Sequence, residues 1–267
     1  MKAVKQALRA VAQKVAPDVM HRRAIDWAAA REAELRLLPF LCRPGTIAVD
    51  VGANIGLYLE HLLPLAGHVM AFEPNPTMAE VVRRFYPQAQ LEPVALADKE
   101  GRAEFRMPAG NASWGTLATT NQLEMAQVPI ESFAVPMRTL DSYGLHGLGF
   151  VKIDVEGFEE AVVAGAVQTL QRERPNLLIE IEERHNPGSV HRMADTLGGL
   201  GYSAFFLSDG ELQPFARFDL TRDQPKANVG LGGKQGRYIN NFMFVPAFRA
   251  VEFTEALQPR TDHRLVK

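Results

Sequence analysis

Carboxylates collect in two short stretches of this sequence. In "VKIDVEG" an apolar run ends at Ile153 and is followed by Asp154 and Glu156; in "IEIEERH" Glu180 and Glu182 alternate with isoleucines and His185 follows. Alternation along a strand sets Glu180 and Glu182 on one face, with His185 just past its end. Asp154, Glu182 and His185 are therefore candidate general bases, each able to take the proton of a weak nucleophile such as a hydroxyl from about 2.6 to 3.2 Å away. Asp154 is favoured, because the carboxyl end of a central strand opens onto the crevice where ligands bind in open α/β sheets. Glu156 opens the next helix, where a carboxylate caps the backbone or complements the helix dipole as readily as it catalyses. His185 reads equally as an ordinary loop histidine, and Lys152 can pair with one of the acids. Asp154, Glu156, Glu182 and His185 are also residue types that hold a divalent cation. Their spacing fits no ligand signature, so no metal is assigned.

A second constellation lies upstream, in "TIAVDVGANIGLYLEHL". An apolar run leads into Asp50, Gly52, Asn54 and Gly56, and Leu57, Leu59, Leu62 and Leu63 follow at helical spacing. That is strand, glycine turn and helix, an arrangement in which a nucleotide and the backbone can approach closely. Glu73 falls 21 positions after Gly52, at the end of the next apolar run in "HVMAFEPNP", where a carboxylate can accept hydrogen bonds from both hydroxyls of a ribose. A dinucleotide fingerprint needs G-x-G-x-x-G so that pyrophosphate can sit on the helix N-terminus; here the middle glycine is replaced and the last comes one residue early. Asp50 would repel phosphate but suits an ammonium or sulfonium group, and S-adenosylmethionine carries both. "GLGGKQG" at 230–236 lacks the Ser/Thr and the upstream glycine of a P-loop and is set aside.

The elements that must position these residues alternate. Strand-like runs cover Ile47 to Val51, His68 to Phe72, Ala89 to Ala95, Gly149 to Ile153, Leu177 to Ile181, Ser203 to Leu207 and Asn241 to Val245, with helical patterns centred near 60, 82, 164 and 194. This predicts βαβ units and a mainly parallel α/β sheet. Residues 101–139 break the rhythm and read as a hairpin-like excursion beside the site, carrying Trp114; Trp114 and Tyr143 can stack on adenine or a sugar, or simply pack. Residues 214–238 form an irregular tail of the kind that is functional or mobile. The expected organisation is a helical extension at 1–45, a domain at 46–250 and a tail at 251–267.

At 267 residues, 46% of them hydrophobic, the chain can bury a full core. A net charge of -2 gives no bulk attraction to nucleic acid or anionic membrane. The single cysteine, Cys42, excludes an internal disulfide and is compatible with a reducing cytoplasm. No apolar run reaches the ~18–20 residues of a membrane span, and the N-terminus lacks the core of a secretory signal. Val4, Leu8, Val11 and Val15 mark an amphipathic helix with Lys2, Lys5, Arg9 and Lys14 opposite. It is expected to dock on its own domain, with a peripheral membrane contact as the alternative.

The series "VDVGANIG", "AFEPNP", "VALADKEG", "RTLDSY", "FVKIDVEGFEEAVVAGA" and "PNLLIEIEE" resembles, over roughly residues 46–210, the FkbM family of S-adenosylmethionine-dependent methyltransferases. The resemblance implies a class I methyltransferase Rossmann-like sheet, mainly parallel with an antiparallel C-terminal hairpin and helices on both faces. It implies methyl transfer to a hydroxyl oxygen of a sugar or other small metabolite such as a natural product; a lipid-linked acceptor is suggested separately, by the basic N-terminal helix. It also implies that Asp50, Gly52, Asn54 and Gly56 hold the methionine end, Glu73 the ribose, and Ala97 with Asp98 the adenine. Two other functions compete: an NAD(P)-dependent oxidoreductase, disfavoured by the loop spacing, and a non-catalytic nucleoside-binding protein. No nucleic-acid partner is expected, and oligomeric state is not legible.

Overall fold

A computed structural model describes residues 16–110, 114–121, 123, 127–230 and 233–257. The basic segment at 1–15 lies outside them. The chain begins with helix α1 (Pro17–Ala29), whose proline occupies the first turn where no N–H is needed, and continues through a 3-10 turn into the short α2 (Leu38–Leu41). Strand β1 (Ile47–Val51), helix α3 (Leu57–Leu62), β2 (His68–Phe72), α4 (Pro76–Phe85) and β3 (Gln90–Glu92) then form consecutive parallel units.

The expected strand Ala89 to Ala95 is two strands. Pro93, with no N–H to give a ladder, ends β3; the chain then turns into β4 (Ala95–Leu96), which joins β5 (Gly101–Pro108) and β6 (Ile130–Arg138) in a separate three-stranded sheet. β5 and β6 pair antiparallel, so the stretch read as an excursion is a hairpin with a long connection. The main sheet resumes with β7 (Leu148–Ile153) and β8 (Asn176–Glu180). The helical pattern between them divides into α5 (Glu159–Ala164) and α6 (Val167–Glu173) at Gly165, where a Cβ would sit 1.9 Å from the carbonyl oxygen of Ala97. Helix α7 (Ser189–Gly199) leads to β9 (Tyr202–Ser208) and β10 (Glu211–Pro214). The tail holds a one-turn helix, α8 (Leu220–Asp223), and a ribbon of β11 (Val229–Gly230) with β12 (Gly233–Lys234); β13 (Asn241–Pro246) and α9 (Ala250–Ala256) close the described chain.

The eight strands lie in the order β10-β9-β13-β8-β7-β1-β2-β3. β13 runs antiparallel between β8 and β9, the expected C-terminal reversal. Side chains alternate across the sheet into two cores: Val49, Val51, Val151 and Ile179 face α5, α6 and α7, while Ala48, Phe150, Leu178 and Met243 face α2, α3 and the C-terminal helix. Leu38 and Leu41 of the N-terminal extension belong to the second core. Strand order reverses between β1 and β7, and a crevice opens at their carboxyl ends.

Candidate active site

Two sharp turns meet at that crevice. After β1, Gly52 adopts φ +85°, and a Cβ there would lie 1.9 Å from the Asp154 carbonyl oxygen. The backbones after β1 and β7 therefore touch, with the Asp154 N–H donating to Val51 O at 3.0 Å. Asn54 (φ 49°) and Gly56 (φ +88°) complete the turn into α3. After β7, Glu156 (φ 55°) and Gly157 (φ +102°) turn the chain into α5. Cβ at Gly157 would be 2.9 Å from that of His185.

Glu73, buried at the end of β2, is locked by two backbone donors: Asn54 N–H to Oε2 at 2.7 Å and Asn75 N–H to Oε1 at 2.8 Å. Asp50 is equally buried, and its Oδ2 has no hydrogen-bond partner; neither does Oδ1 of Asn54. Lys152, 1% exposed, lies beneath them, with Nζ 3.9 Å from Asp154 Oδ2, donating to Ile153 O at 3.2 Å and to Asn241 Oδ1 at 3.5 Å.

Two cavities share this floor. One is a slot walled by Phe72, Glu73 and Pro74, by Val94, Ala95 and Leu96, and by Phe105, Thr116, Leu117 and Phe158. The other, about 720 Å³, lies on the α1 side and is lined by Met20, Arg23, Trp27, Glu32, Asp50, Tyr58 and Trp114 among others. Gly52, Asn54, Asp154 and Glu156 belong to both. The hairpin excursion supports the junction: Thr116 Oγ1 and Asn121 Nδ2 donate to the Glu156 carbonyl at 2.8 and 2.9 Å.

Asp50, Gly52, Asn54, Glu73, Asp154 and Glu156 thus converge, while other expected residues lie elsewhere. Ala97 is buried beside Gly165 and Asp98 is exposed, and neither lines the slot; the preceding triplet Val94 to Leu96 does. Glu156 is not the helix cap. The helix has no side-chain cap; Glu159, its first residue, instead pins the preceding turn, its Oε1 accepting from Gly157 N–H at 2.8 Å and Val155 N–H at 3.4 Å. Glu182 lines neither cavity: it is buried in an ion pair with Arg184 and accepts from Tyr238 Oη at 2.8 Å and Asn240 Nδ2 at 3.2 Å. Burial opposes its charge, but the Arg184 hydrogen bond and charge outweigh it and hold the carboxyl down at about 2. His185 lies behind Glu156, Nε2 to Oε2 3.5 Å, and burial lowers it to about 4. Truncating Arg184 to alanine should cost about 3 kcal/mol of stability, because Glu182 loses its cation but keeps two donors. S-adenosylhomocysteine affinity should be unchanged in calorimetry; a weakened titration would move this pair into the site.

Burial raises Asp50 and Glu73 to about 7, for Asp50 against the opposing charge of Lys152 and for Glu73 against its two backbone donors. Burial raises Glu159 to about 7 as well. The folded chain holds these protons more tightly than the unfolded one, so their contribution to stability is complete below about pH 4 and is lost as pH rises through about 7. A cationic ligand at Asp50 needs the ionised form. Ligand-free protein should therefore melt higher at pH 6.5 than at pH 8, while the increment added by S-adenosylhomocysteine should be larger at pH 8. His185 is neutral across that window. Equal increments at the two pH values in a melting assay would contradict the assignment of Asp50.

The fold and the crevice define a class I methyltransferase, with a slot at the strand-order reversal and no pyrophosphate loop. The model of the methyltransferase FkbM domain matches residues 50–204, and the chain belongs to this family. It is 29% identical to the 31-O-demethyl-FK506 methyltransferase FkbM of Streptomyces tacrolimicus over 60% of this chain and 74% of that one. It is 27% identical to the 2-O-methyltransferase NoeI of Sinorhizobium fredii (strain NBRC 101917 / NGR234) over 52% of this chain and 65% of that one. Among solved structures, the methyltransferase FkbM of Methylobacillus flagellatus KT superposes with a TM-score of 0.52 at 14% identity, covering 79% of this chain and 47% of that chain, and so shares the fold. The chain thus spans less than two thirds of NoeI and about half of the solved protein.

S-adenosylmethionine is the cofactor. The residues present fit it: the two orphaned acceptors, Asp50 Oδ2 and Asn54 Oδ1, are buried beside the glycine turn, and unsatisfied buried acceptors cost ~1–3 kcal/mol each unless a donor such as an ammonium arrives. Among the described residues no helix is long and apolar enough to cross a membrane, and no group of three or more His, Cys, Asp or Glu side chains is arranged to hold a metal ion.

Proposed function

We propose that the chain transfers a methyl group to a hydroxyl oxygen of a sugar or other small metabolite. The observation that carries this reading is the junction: Gly52, Asn54, Asp154 and Glu156 line the nucleoside slot and the larger cavity at once, so a group bound in each would meet over Asp154. The names of both curated relatives describe methylation at oxygen.

In this reading Glu73 holds the ribose, Phe72, Pro74 and Val94 to Leu96 enclose the adenine, and Asp50 with Asn54 takes the amino-acid end. Bound there, S-adenosylmethionine supplies a methyl group on a positively charged sulfur. The protein's share is alignment and a dry site, since an in-line displacement needs its atoms held close and in register. Asp154, with 35% of its side chain exposed at the junction, accepts the proton of the acceptor hydroxyl. Lys152 beneath it holds the carboxylate in place. Burial, then the charges of Asp154 and Glu182, raise Glu156 well above the usual carboxylate range. It lines the junction beside Asp154, where it can hydrogen-bond the acceptor.

The test is transfer from carbon-13 methyl-labelled S-adenosylmethionine into a panel of sugars and cyclic alcohols, with the product followed by NMR. The expected product is a methyl ether. Label appearing only on nitrogen or carbon, or on no acceptor, would oppose the reading.

A further inference from the structure

Both tryptophans of the chain, Trp27 and Trp114, line the larger cavity. Trp27 belongs to α1, which lies upstream of the 50–204 family match. Met20, Arg23, Ala24, Trp27 and Ala28 occupy positions i, i+3, i+4, i+7 and i+8, so a single face of α1 forms that wall. The rest of the helix anchors it: His21 stacks on Phe85 at 3.8 Å and meets Tyr86 Oη at 3.0 Å, and Arg22 pairs with Glu60 at 2.6 Å. Trp27 remains 63% exposed, its indole covered by the Arg31 guanidinium at 3.7 Å.

Charge is distributed unevenly along the cavity. Glu32, Asp50, Asp154 and Glu156 contribute the carboxyl groups, whereas Arg23 is exposed and has no ion-pair partner among the described residues. A second polar group also lacks a partner: Tyr58 is 7% exposed, lines the cavity, and its hydroxyl makes no hydrogen bond. Indoles suit the C–H face of a hydroxylated ring, buried oxygens suit its hydroxyls, and a guanidinium forks onto a carboxylate or phosphate. An anion on such a ring would be repelled by the carboxylates and drawn to Arg23, leaving a hydroxyl turned toward Asp154.

We propose that the acceptor is a polyhydroxylated ring bearing an anionic group, oriented by Arg23 and the tryptophan pair, and that α1 is the element that selects it. This inference rests on the methyltransferase reading of the site. The test uses full-length protein saturated with S-adenosylhomocysteine, titrated with hexuronates, hexose phosphates and their neutral parent hexoses while tryptophan fluorescence is followed. Both tryptophans lie on the cavity, so the signal reports occupancy directly. At least one acidic sugar should bind about tenfold or more tighter than its neutral parent, and the carboxylate and phosphate arms identify which anion. Arg23→Ala should erase that preference and Trp27→Phe should weaken binding of both, each with unchanged S-adenosylhomocysteine affinity in calorimetry. Neutral parents binding as tightly as the acids, preference surviving in Arg23→Ala, or no member perturbing the fluorescence would overturn the proposal. Failure of the wild type to bind S-adenosylhomocysteine at all would instead sink the reading beneath it.

Discussion

Gly52→Ala is expected to lower S-adenosylhomocysteine affinity by at least about 100-fold and to lower the melting temperature. Two costs combine. The left-handed backbone at φ +85° penalises any side chain by ~1–2 kcal/mol. The new carbon would also fall 1.9 Å from the Asp154 carbonyl oxygen and 3.4 Å from Val155 Cγ1, which forces apart the two strand ends whose contact forms the floor of both cavities. Backbone cannot yield as a side chain can. Gly56→Ala is the informative comparison, because its Cβ meets the ring of Tyr86 at 2.1 Å, a side chain and not the backbone that joins the two strand ends. Its effect should be the smaller of the two. Wild-type affinity and melting temperature in Gly52→Ala would refute the close-approach account.

Asp154→Asn should separate chemistry from binding. The substitution keeps shape and hydrogen-bonding reach but removes the proton acceptor, and loss of a positioned base is worth ~10²–10⁴ in rate. Methyl transfer should fall by that factor with S-adenosylhomocysteine affinity within about threefold of wild type, under 1 kcal/mol. If affinity falls as far as turnover, Asp154 holds the cofactor and the base must be sought elsewhere.

How much of this was legible in the sequence depends on whether a residue's role is set locally. β1 and β2 end where the apolar runs end, because each run feeds a turn whose chemistry is written in its own residues, Gly52 in one case and "EPNP" in the other. The Glu73 carboxylate is fixed by neighbours at the same turns, so its position after the second strand was enough to single it out. Roles fixed at long range were not legible. Glu182 is in the run that sequence marks as catalytic, yet Tyr238, 56 residues away, and Arg184 tie it into the protein. Glu156 and Glu159 both stand near the start of α5, and only the left-handed turn at Glu156 decides which of them pins the turn and which faces the cavity. The slot is lined by Val94 to Leu96 and not by Ala97 and Asp98, because Pro93 ends β3 and sends the chain out of the main sheet past the slot. The part of α1 that lines the cavity has an ordinary helical pattern; its place opposite Trp114 comes from docking on α3 and α4.

The most direct test of the central claim is calorimetric titration of the folded protein with S-adenosylhomocysteine, wild type beside Glu73→Ala. The account predicts roughly micromolar binding in the wild type. It predicts a loss of about 100-fold or more in the variant, since the ribose loses a charged acceptor and the Asn54 and Asn75 N–H groups lose theirs. Equal affinity in the two proteins, or a folded wild type that binds nothing, would contradict it.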